Sequence, residues 1–378
     1  MAHYNTILNQ ITAFIPRHDF DYLADVHHKG QKFRSFTRWS QFMAMMVGQI
    51  SGRKSLRDIT DNLKAQQNRF YHLGVKQTSR ATLARVNELQ PYTLYEALFY
   101  KLLKKCRQVA PQHKFSFDGK LFLLDATTID LCLSVFPWAK YRQTKGAIKL
   151  HMGLDGAGYL PAFMDMTDGK GHEINWAKTL SLPKGSFVAF DRGFTDYKWY
   201  DSLTTDGVFF VTRLKSNADV EYLLKRSGRK AKGITNDQQI KLNNISDPLR
   251  LVACIDEKTG KEYRFVTNAH HLQAAEIAAI YKERWQIEQF FKWIKQNLKI
   301  KTFLGTSINA VLTQIWIALI VYLLVAFLNF KTKLGSSIQQ VLRVLQLNLF
   351  ARRNLIDLFR PPDKQLPVSP QLLLWEKL

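Results

Sequence analysis

Apolar positions along this chain change their spacing twice, and each change marks a different kind of element. Up to about residue 114 they recur three and four residues apart, the period of amphipathic helices. WSQFMAMMVGQISG predicts a buried helix that ends at Gly52. Ser55 ahead of LRDITDNL, with Asp58 three residues on, predicts a capped helix start. Ser79 caps a further helix over RATLARVNEL, Pro91 interrupts the chain, and LYEALFYKLLKKCRQV runs as a helix to the loop at Pro111. Two helices about a short turn can form a nucleic-acid-reading pair, but the motif is common and carries little weight alone.

From about residue 115 the pattern shifts to short β-rich runs. KLFLLDATTIDL predicts a strand ending at Asp125. GAIKLHMGLD and YLPAFMDMTD, on either side of a Gly-rich turn, predict two strands of a meander. A helix over EINWAKTL, a buried strand SFVAFD that stops at Asp191, a helix over YKWYDSLTTD and a strand VFFVTRLK follow. The order βββ-α-β-α-β is that of a mixed α/β layer. Residues 216–268 break this rhythm with four strand-like runs, VEYLLKR, QQIKL, LRLVACID and YRFVTN, and read as a β-rich insertion. Helical spacing then returns in AAEIAAIYKERWQIEQFFKWIKQNLKI, in the apolar run Ala310–Leu328 and in SSIQQVLRVLQL. Pro361, Pro362 and Pro367 mark a loose tail. The chain thus divides into a helical unit (1–75), a helical linker region (76–114), an α/β domain (115–330) and a helical C-terminal region with a tail (331–378).

The run that follows the insertion is the most informative. Read as one helix at ~100° per residue, it places Tyr281, Arg284, Glu288 and Lys295 within roughly a 60° sector. Trp285 borders that sector, while Ile287, Phe290, Ile294 and Leu298 cluster on another side as a core-facing stripe. A carboxylate, two cations, a phenol and an indole along one face suit a metal ion and a phosphate backbone.

Composition narrows the partner. The chain carries 54 Lys and Arg against 31 Asp and Glu, a formal charge of +23. Such an excess favours a polyanion, nucleic acid ahead of an anionic membrane, without separating DNA from RNA. Lys29, Lys32, Arg34, Arg38 and Trp39, in the segment HHKGQKFRSFTRW, are candidates to lie along phosphates. Cys106, Cys132 and Cys254 are far apart and lack ligand spacing, which argues against disulfides and structural zinc and for a reducing, cytoplasmic setting. The opening MAHYNTILNQ has none of the marks of a secretory signal. Ala310–Leu328 has the length of a membrane span, but Thr313 and Gln314 within it favour a buried helix crossing the α/β domain.

Asp125 and Asp191 each close an apolar run. An uncompensated carboxylate there costs several kcal/mol unless it is ligated or paired. Together with Glu288 they would make an all-oxygen site for magnesium or manganese. Two such cations can activate a nucleophile and stabilise the leaving oxygen of a phosphodiester. Asp130, Asp165 and Asp168 compete for ligand roles, and alternation in LLDATTIDL favours Asp125 over Asp130. Arg192 is placed either to steady a phosphate or to pair with a carboxylate. His151, His172, His270 and His271 lack metal-ligand spacing and are expected to pack or face solvent.

These residues together resemble the bacterial cut-and-paste DDE transposases of insertion-sequence family four. The signature of that family is Tyr, two residues, Arg, three residues, Glu, six residues, Lys, matched here by Tyr281, Arg284, Glu288 and Lys295. LLDATTIDL and FVAFDRGFTD resemble the regions of its first two catalytic aspartates, and KGAIKLHMGLD has the look of the segment between them. The resemblance spans roughly residues 115–330, and the N-terminal segment resembles the helical domain often attached. It implies an RNase H-like mixed-sheet catalytic domain with a β insertion and a helical, DNA-binding N-terminal domain. It further implies Asp125, Asp191 and Glu288 as ligands of two Mg2+ or Mn2+ ions. Tyr281, Arg284 and Lys295 would hold DNA phosphates, and Trp285 would stack on a flipped base. The implied activity is binding of terminal inverted repeats, end cleavage and strand transfer by a homodimer synapsed on DNA, in a cytoplasmic, nucleoid-associated protein with no membrane partner. The alternatives are a DNA-binding protein derived from such an element and a related nuclease that cuts without joining.

Overall fold

The computed structural model describes residues 5–360 apart from 32, 34, 71–72, 140–145, 227–231, 244, 299–302 and 334–335. Lys32, Arg34 and the predicted proline-marked tail lie outside the described residues.

The N-terminal region folds as α1 (Ile7–Thr12), α2 (Arg17–Val26), α3 (Arg38–Ile50), α4 (Leu56–Ala65), α5 (Arg80–Leu89) and α6 (Thr93–Arg107). The predicted caps form: Ser55 Oγ accepts from Asp58 N–H and Ser79 Oγ from Thr82 N–H. Helix α3 is buried along its whole length, and Gly52, just beyond its end, takes the left-handed φ of +65° that a glycine permits.

The α/β region adds β1 (Leu121–Leu131), β2 (Gly146–Asp155), β3 (Leu160–Asp168), α7 (Glu173–Ala177), β4 (Phe187–Phe190), α8 (Tyr197–Thr205) and β5 (Phe209–Arg213). The insertion supplies β6 (Val220–Lys225), β7 (Ile234–Leu242), β8 (Leu249–Ile255) and β9 (Glu262–Thr267). All nine strands join one sheet in the order β3-β2-β1-β4-β5-β9-β8-β7-β6. β1, β4 and β5 run parallel, and the remaining neighbours pair antiparallel. The insertion is therefore an extension of the main sheet. Arg250, buried in β8, holds it in place: the guanidinium takes both oxygens of Asp237 at 2.8 Å and donates to the carbonyls of Ala269 and Leu272, just before the next helix.

The chain closes with α9 (Ala274–Glu283), α10 (Trp285–Asn297), α11 (Ile308–Thr332) and α12 (Ile338–Asn348). The apolar α11 is the one helix among the described residues long and apolar enough to cross a membrane, and every residue from Ala310 to Ala326 is buried inside the protein. It packs on α3, α5, α6 and α12, so its main role is to centre the helical layer. The expectation of a helix crossing the α/β domain is met towards the end of α11: the Tyr322 ring meets Phe290 and Trp293 of α10, its hydroxyl donates to Tyr159 O at 3.1 Å, and Phe330 lies against Gly158. Asn309 ties the start of α11 to the α5–α6 turn through Tyr92 N–H, Asn87 O and Gln90 O. One hydrophobic core consequently runs from Ile7 through one face of the sheet to Leu355.

Two sequence expectations about N-terminal side chains fail for the same reason. Arg38 and Trp39 are core groups of α3: Arg38 donates to Gln90 Oε1 and Pro91 O, and Trp39 Nε1 to Leu73 O. Their basic and aromatic neighbours in sequence suggested a phosphate track, but burial and hydrogen bonds to other parts of the N-terminal region remove both from solvent. Lys29 alone of the described candidates is exposed.

Candidate active site

The site begins where two parallel strands part. β1 and β4 pair at Leu121–Phe187, Phe122–Val188 and Leu123–Ala189 and no further. Asp125 and Asp191 each stand two residues beyond the last pair, level with one another and directed by strand alternation to the same face. The strand predicted to stop at Asp125 in fact continues to Leu131, because β2 keeps pairing with it as far as Leu131–Gly146. β4 does stop at Phe190, and Asp191 caps a single 3-10 turn, its Oδ1 accepting Gly193 N–H at 2.6 Å.

The helix predicted across Tyr281 to Lys295 is two helices with a break at Arg284. Arg284 N–H bonds Tyr281 O and Ile287 N–H bonds Arg284 O, the tighter i→i+3 pattern. The side chains on either side of the break are drawn to opposite quarters. Glu283 is buried, paired with Lys114 Nζ at 2.6 Å and with the Tyr159 hydroxyl. Arg284 turns to the carboxylates instead: Nη1 lies 3.3 Å from Asp125 Oδ2 and Nη2 lies 2.6 Å from Glu288 Oε1. The side chain is only 14% exposed, and its buried Nε has no hydrogen-bond partner.

The remaining signature residues follow from that geometry. Tyr281, on the last turn of α9, is half-buried against Phe265, with the Arg284 guanidinium 5.6 Å from its ring centre. Lys295 reaches β1, donating to Thr128 O at 3.0 Å and to the Thr127 hydroxyl. Trp285 is 57% exposed. Asp125, Thr127, Glu288, Phe291, Lys292 and Lys295 line an open cleft of about 400 Å³. The structure thus brings Asp125 and Glu288 onto one arginine, with Asp191 beside Asp125.

Burial pushes the Asp125 carboxyl up to about 6, against the pull of the Ala126 N–H and of Arg284, with the charges of Asp191 and Glu173 adding to the rise. A desolvated carboxylate among other carboxylates calls for a cation, and the all-oxygen donor set of Asp125, Asp191 and Glu288 fits a hard divalent one. Among the described residues no three acidic, His or Cys groups stand ready to hold a metal ion, and Arg284 lies between two of the three candidates.

Sequence reasoning missed Glu173 and Gly193. Glu173, at the start of α7, pairs with Lys149 at 3.3 Å, and a Cβ at Gly193 would fall 2.7 Å from its Oε2. Gly193 carried a signal, since it follows two residues after a strand-ending aspartate; Glu173 carried none, because only the fold of α7 over the sheet brings it there. The competitors separate clearly. Asp130, Asp165, Asp168 and Arg192 are exposed, and Asp165 Oδ1 accepts from Met166 N–H. His151 packs as expected, fully buried against Trp176.

Comparison with known proteins agrees with this architecture. Residues 116–324 match the transposase DDE domain family, and residues 3–76 match a domain family of unknown function, DUF4372. A Sinorhizobium fredii protein that bears the name transposase y4zB is 32% identical over 300 residues, covering 76% of this chain and 81% of the relative. A Geobacillus stearothermophilus protein named for transposition of insertion sequence element IS5377 is 27% identical, covering 70% of this chain and 71% of its own length. In fold, the chain is similar to a piggyBac transposase solved as a synaptic complex with hairpin DNA, at TM-score 0.50 and 14% identity over 99% of this chain and 84% of that one. The mixed sheet is of the RNase H-like type that family and neighbour share. With a family model spanning more than half its length and a 32% identical relative across most of both chains, this chain belongs to the DDE transposases.

Proposed function

We propose that the protein cuts the ends of an insertion sequence and joins them to new DNA, using Asp125, Asp191 and Glu288 as the acidic residues of catalysis. The observation that carries this reading is the parallel register that sets Asp125 level with Asp191 at the parting of β1 and β4, with Glu288 of α10 facing Asp125 across Arg284. When bound between these carboxylates, magnesium or manganese supplies activation of the attacking oxygen and charge stabilisation at the phosphorus, two ions being the arrangement suited to in-line transfer. The chain's own groups do the rest. Lys295 and Lys292 line the cleft as cations for the DNA backbone, Arg284 adds a planar fork that matches a phosphate, and exposed Trp285 offers a stacking surface for an unpaired base.

Residues 1–75 act in this reading as a DNA-binding unit, 76–114 as its link, 115–330 as the catalytic domain and 331–378 as a helical closing segment. Support comes from an open cleft of about 620 Å³ between α4 and the start of α5. Arg57, Lys64 and Arg80 line it with Asp61, and among the described residues none of the three cations forms an ion pair. Two protomers synapsed on a pair of ends, in the bacterial cytoplasm at the nucleoid, complete the proposal.

The test uses a plasmid carrying the sequences that flank the gene. With Mg2+ the purified protein is expected to cleave at the element's ends, and Asp125→Asn, Asp191→Asn and Glu288→Gln are each expected to abolish cleavage. Wild-type cleavage by any of the three variants would overturn the assignment. Strand transfer from precut ends separates a transposase from a nuclease that only cuts.

A further inference from the structure

Arg284 stands where a cation belongs. Its guanidinium shares one positive charge between Asp125 and Glu288, two of the groups assigned above to a divalent ion. The side chain is only 14% exposed, whereas that of Glu288 is 43% exposed at the mouth of the cleft. The buried Nε–H has no acceptor, so this arrangement leaves one donor of the fork unused. Arg284 also sits at the break between α9 and α10, a point where the two helices can adjust without losing their own ladders. Lys292 and Lys295 line the same opening, which makes it attractive to an anion.

We propose that Arg284 is an internal substitute for the metal: bound to Asp125 and Glu288 it holds the site closed to divalent cations, and a DNA phosphate entering the cleft takes the guanidinium and frees the carboxylate pair. The inference rests on the reading above that these carboxylates hold a divalent ion and that the cleft takes DNA. A phosphate competes well because its oxygens meet the planar fork in the same bidentate way as a carboxylate, and the unused Nε–H lets it gain a contact. Linkage then requires that metal and DNA strengthen each other's binding by the same factor.

Mn2+ binding to the full chain without DNA, followed by the electron paramagnetic resonance of free Mn2+, tests the idea independently of cleavage. Arg284→Lys keeps the charge but loses the fork, and is expected to bind Mn2+ about tenfold more tightly than the wild type, within the usual range of coupling between sites. Arg284→Gln is expected to bind at least as tightly as Arg284→Lys. Fluorescence anisotropy of a labelled 40-bp duplex is expected to show Mn2+ tightening DNA binding by the wild type about tenfold, and much less by either variant. Folded Arg284→Lys and Arg284→Gln proteins that bind Mn2+ no more tightly than the wild type would sink the inference. So would a wild type whose DNA affinity ignores Mn2+. Asp125→Asn separates the two readings: if it leaves Mn2+ binding unchanged in the Arg284→Gln background, the carboxylates are not the metal site and the proposed function itself fails.

Discussion

A Cβ on Gly193 would lie 2.7 Å from Glu173 Oε2 and 2.9 Å from Asp191 Oδ1, closer than unbonded atoms approach. Gly193→Ala should therefore push the Asp191 carboxylate aside, and a misplacement near 1 Å is worth roughly 10²-fold in rate. The expected result is a loss of about that size in cleavage, with a melting temperature close to that of the wild type. His151 allows a prediction about pH. Burial first, and Lys149 second, lower its imidazole to about 4, below the ~6.5 of an unfolded chain. The unfolded state thus takes up a proton that the folded state refuses. The stabilisation is complete above pH ~6.5 and disappears as pH falls toward 4, by roughly 2–3 kcal/mol. Urea unfolding at pH 7.5 and 4.5 should show that loss in the wild type and a shallower one in His151→Gln. Arg284 marks a different cost: its unpaired buried Nε–H corresponds to about 1–3 kcal/mol of desolvation, which a new acceptor would relieve.

Helices α3 and α11 show how an element's neighbours decide what its side chains do. Ile320 is fully buried midway along α11, and Ile320→Ala should cost about 2–5 kcal/mol, read from denaturant unfolding. Arg38 looks like a DNA ligand on charge alone, yet it ties α3 to the α5–α6 turn through Gln90 and Pro91. Arg38→Ala should accordingly lower stability by about 1–3 kcal/mol, since the buried acceptors Gln90 Oε1 and Pro91 O lose a charged donor. The slope of log affinity against log salt should stay unchanged; a lower slope would mean that Arg38 does touch phosphate. The break between α9 and α10 belongs to the same scale. Helical spacing set Tyr281, Arg284, Glu288 and Lys295 on one helix face; Glu288 and Lys295 of α10 do line one cleft, but Tyr281 belongs to α9, since a period of 3.6 carries no information about a local 3-10 turn.

Over the whole molecule, a formal charge of +23 sets the expectation for binding. If six to ten phosphates are neutralised, affinity for duplex DNA should fall roughly 10³–10⁵-fold between 50 and 200 mM salt. A dependence flatter than tenfold over that range would show that the charge serves something other than a phosphate backbone. The sheet gives the molecule its other large-scale property. Insertion strands β6 to β9 extend the sheet that carries Asp125, and Arg250 fastens them to the residues that lead into α9. Arg250→Met should thus disturb the approach of α9 and α10 to β1, lowering cleavage while a Thr127- or Asp125-facing probe on α10 reports the shift.

Local patterns along the chain determined a good deal. The capped starts at Ser55 and Ser79, the strand that stops before Asp191, the four strands of the insertion and the buried character of α11 all depend on periodicity and on residues a few positions apart. So does the spacing of Tyr281, Arg284, Glu288 and Lys295, which by itself points to the family. What the tertiary structure alone decided are contacts between distant parts of the chain. The splitting of β1 from β4 depends on a third strand that goes on pairing, the placement of Glu173 on a helix folded over the sheet, and the engagement of Arg284 on a carboxylate 159 residues away. Each is a competition for burial or charge among partners that sequence spacing does not relate, and only the packed molecule settles which partner wins.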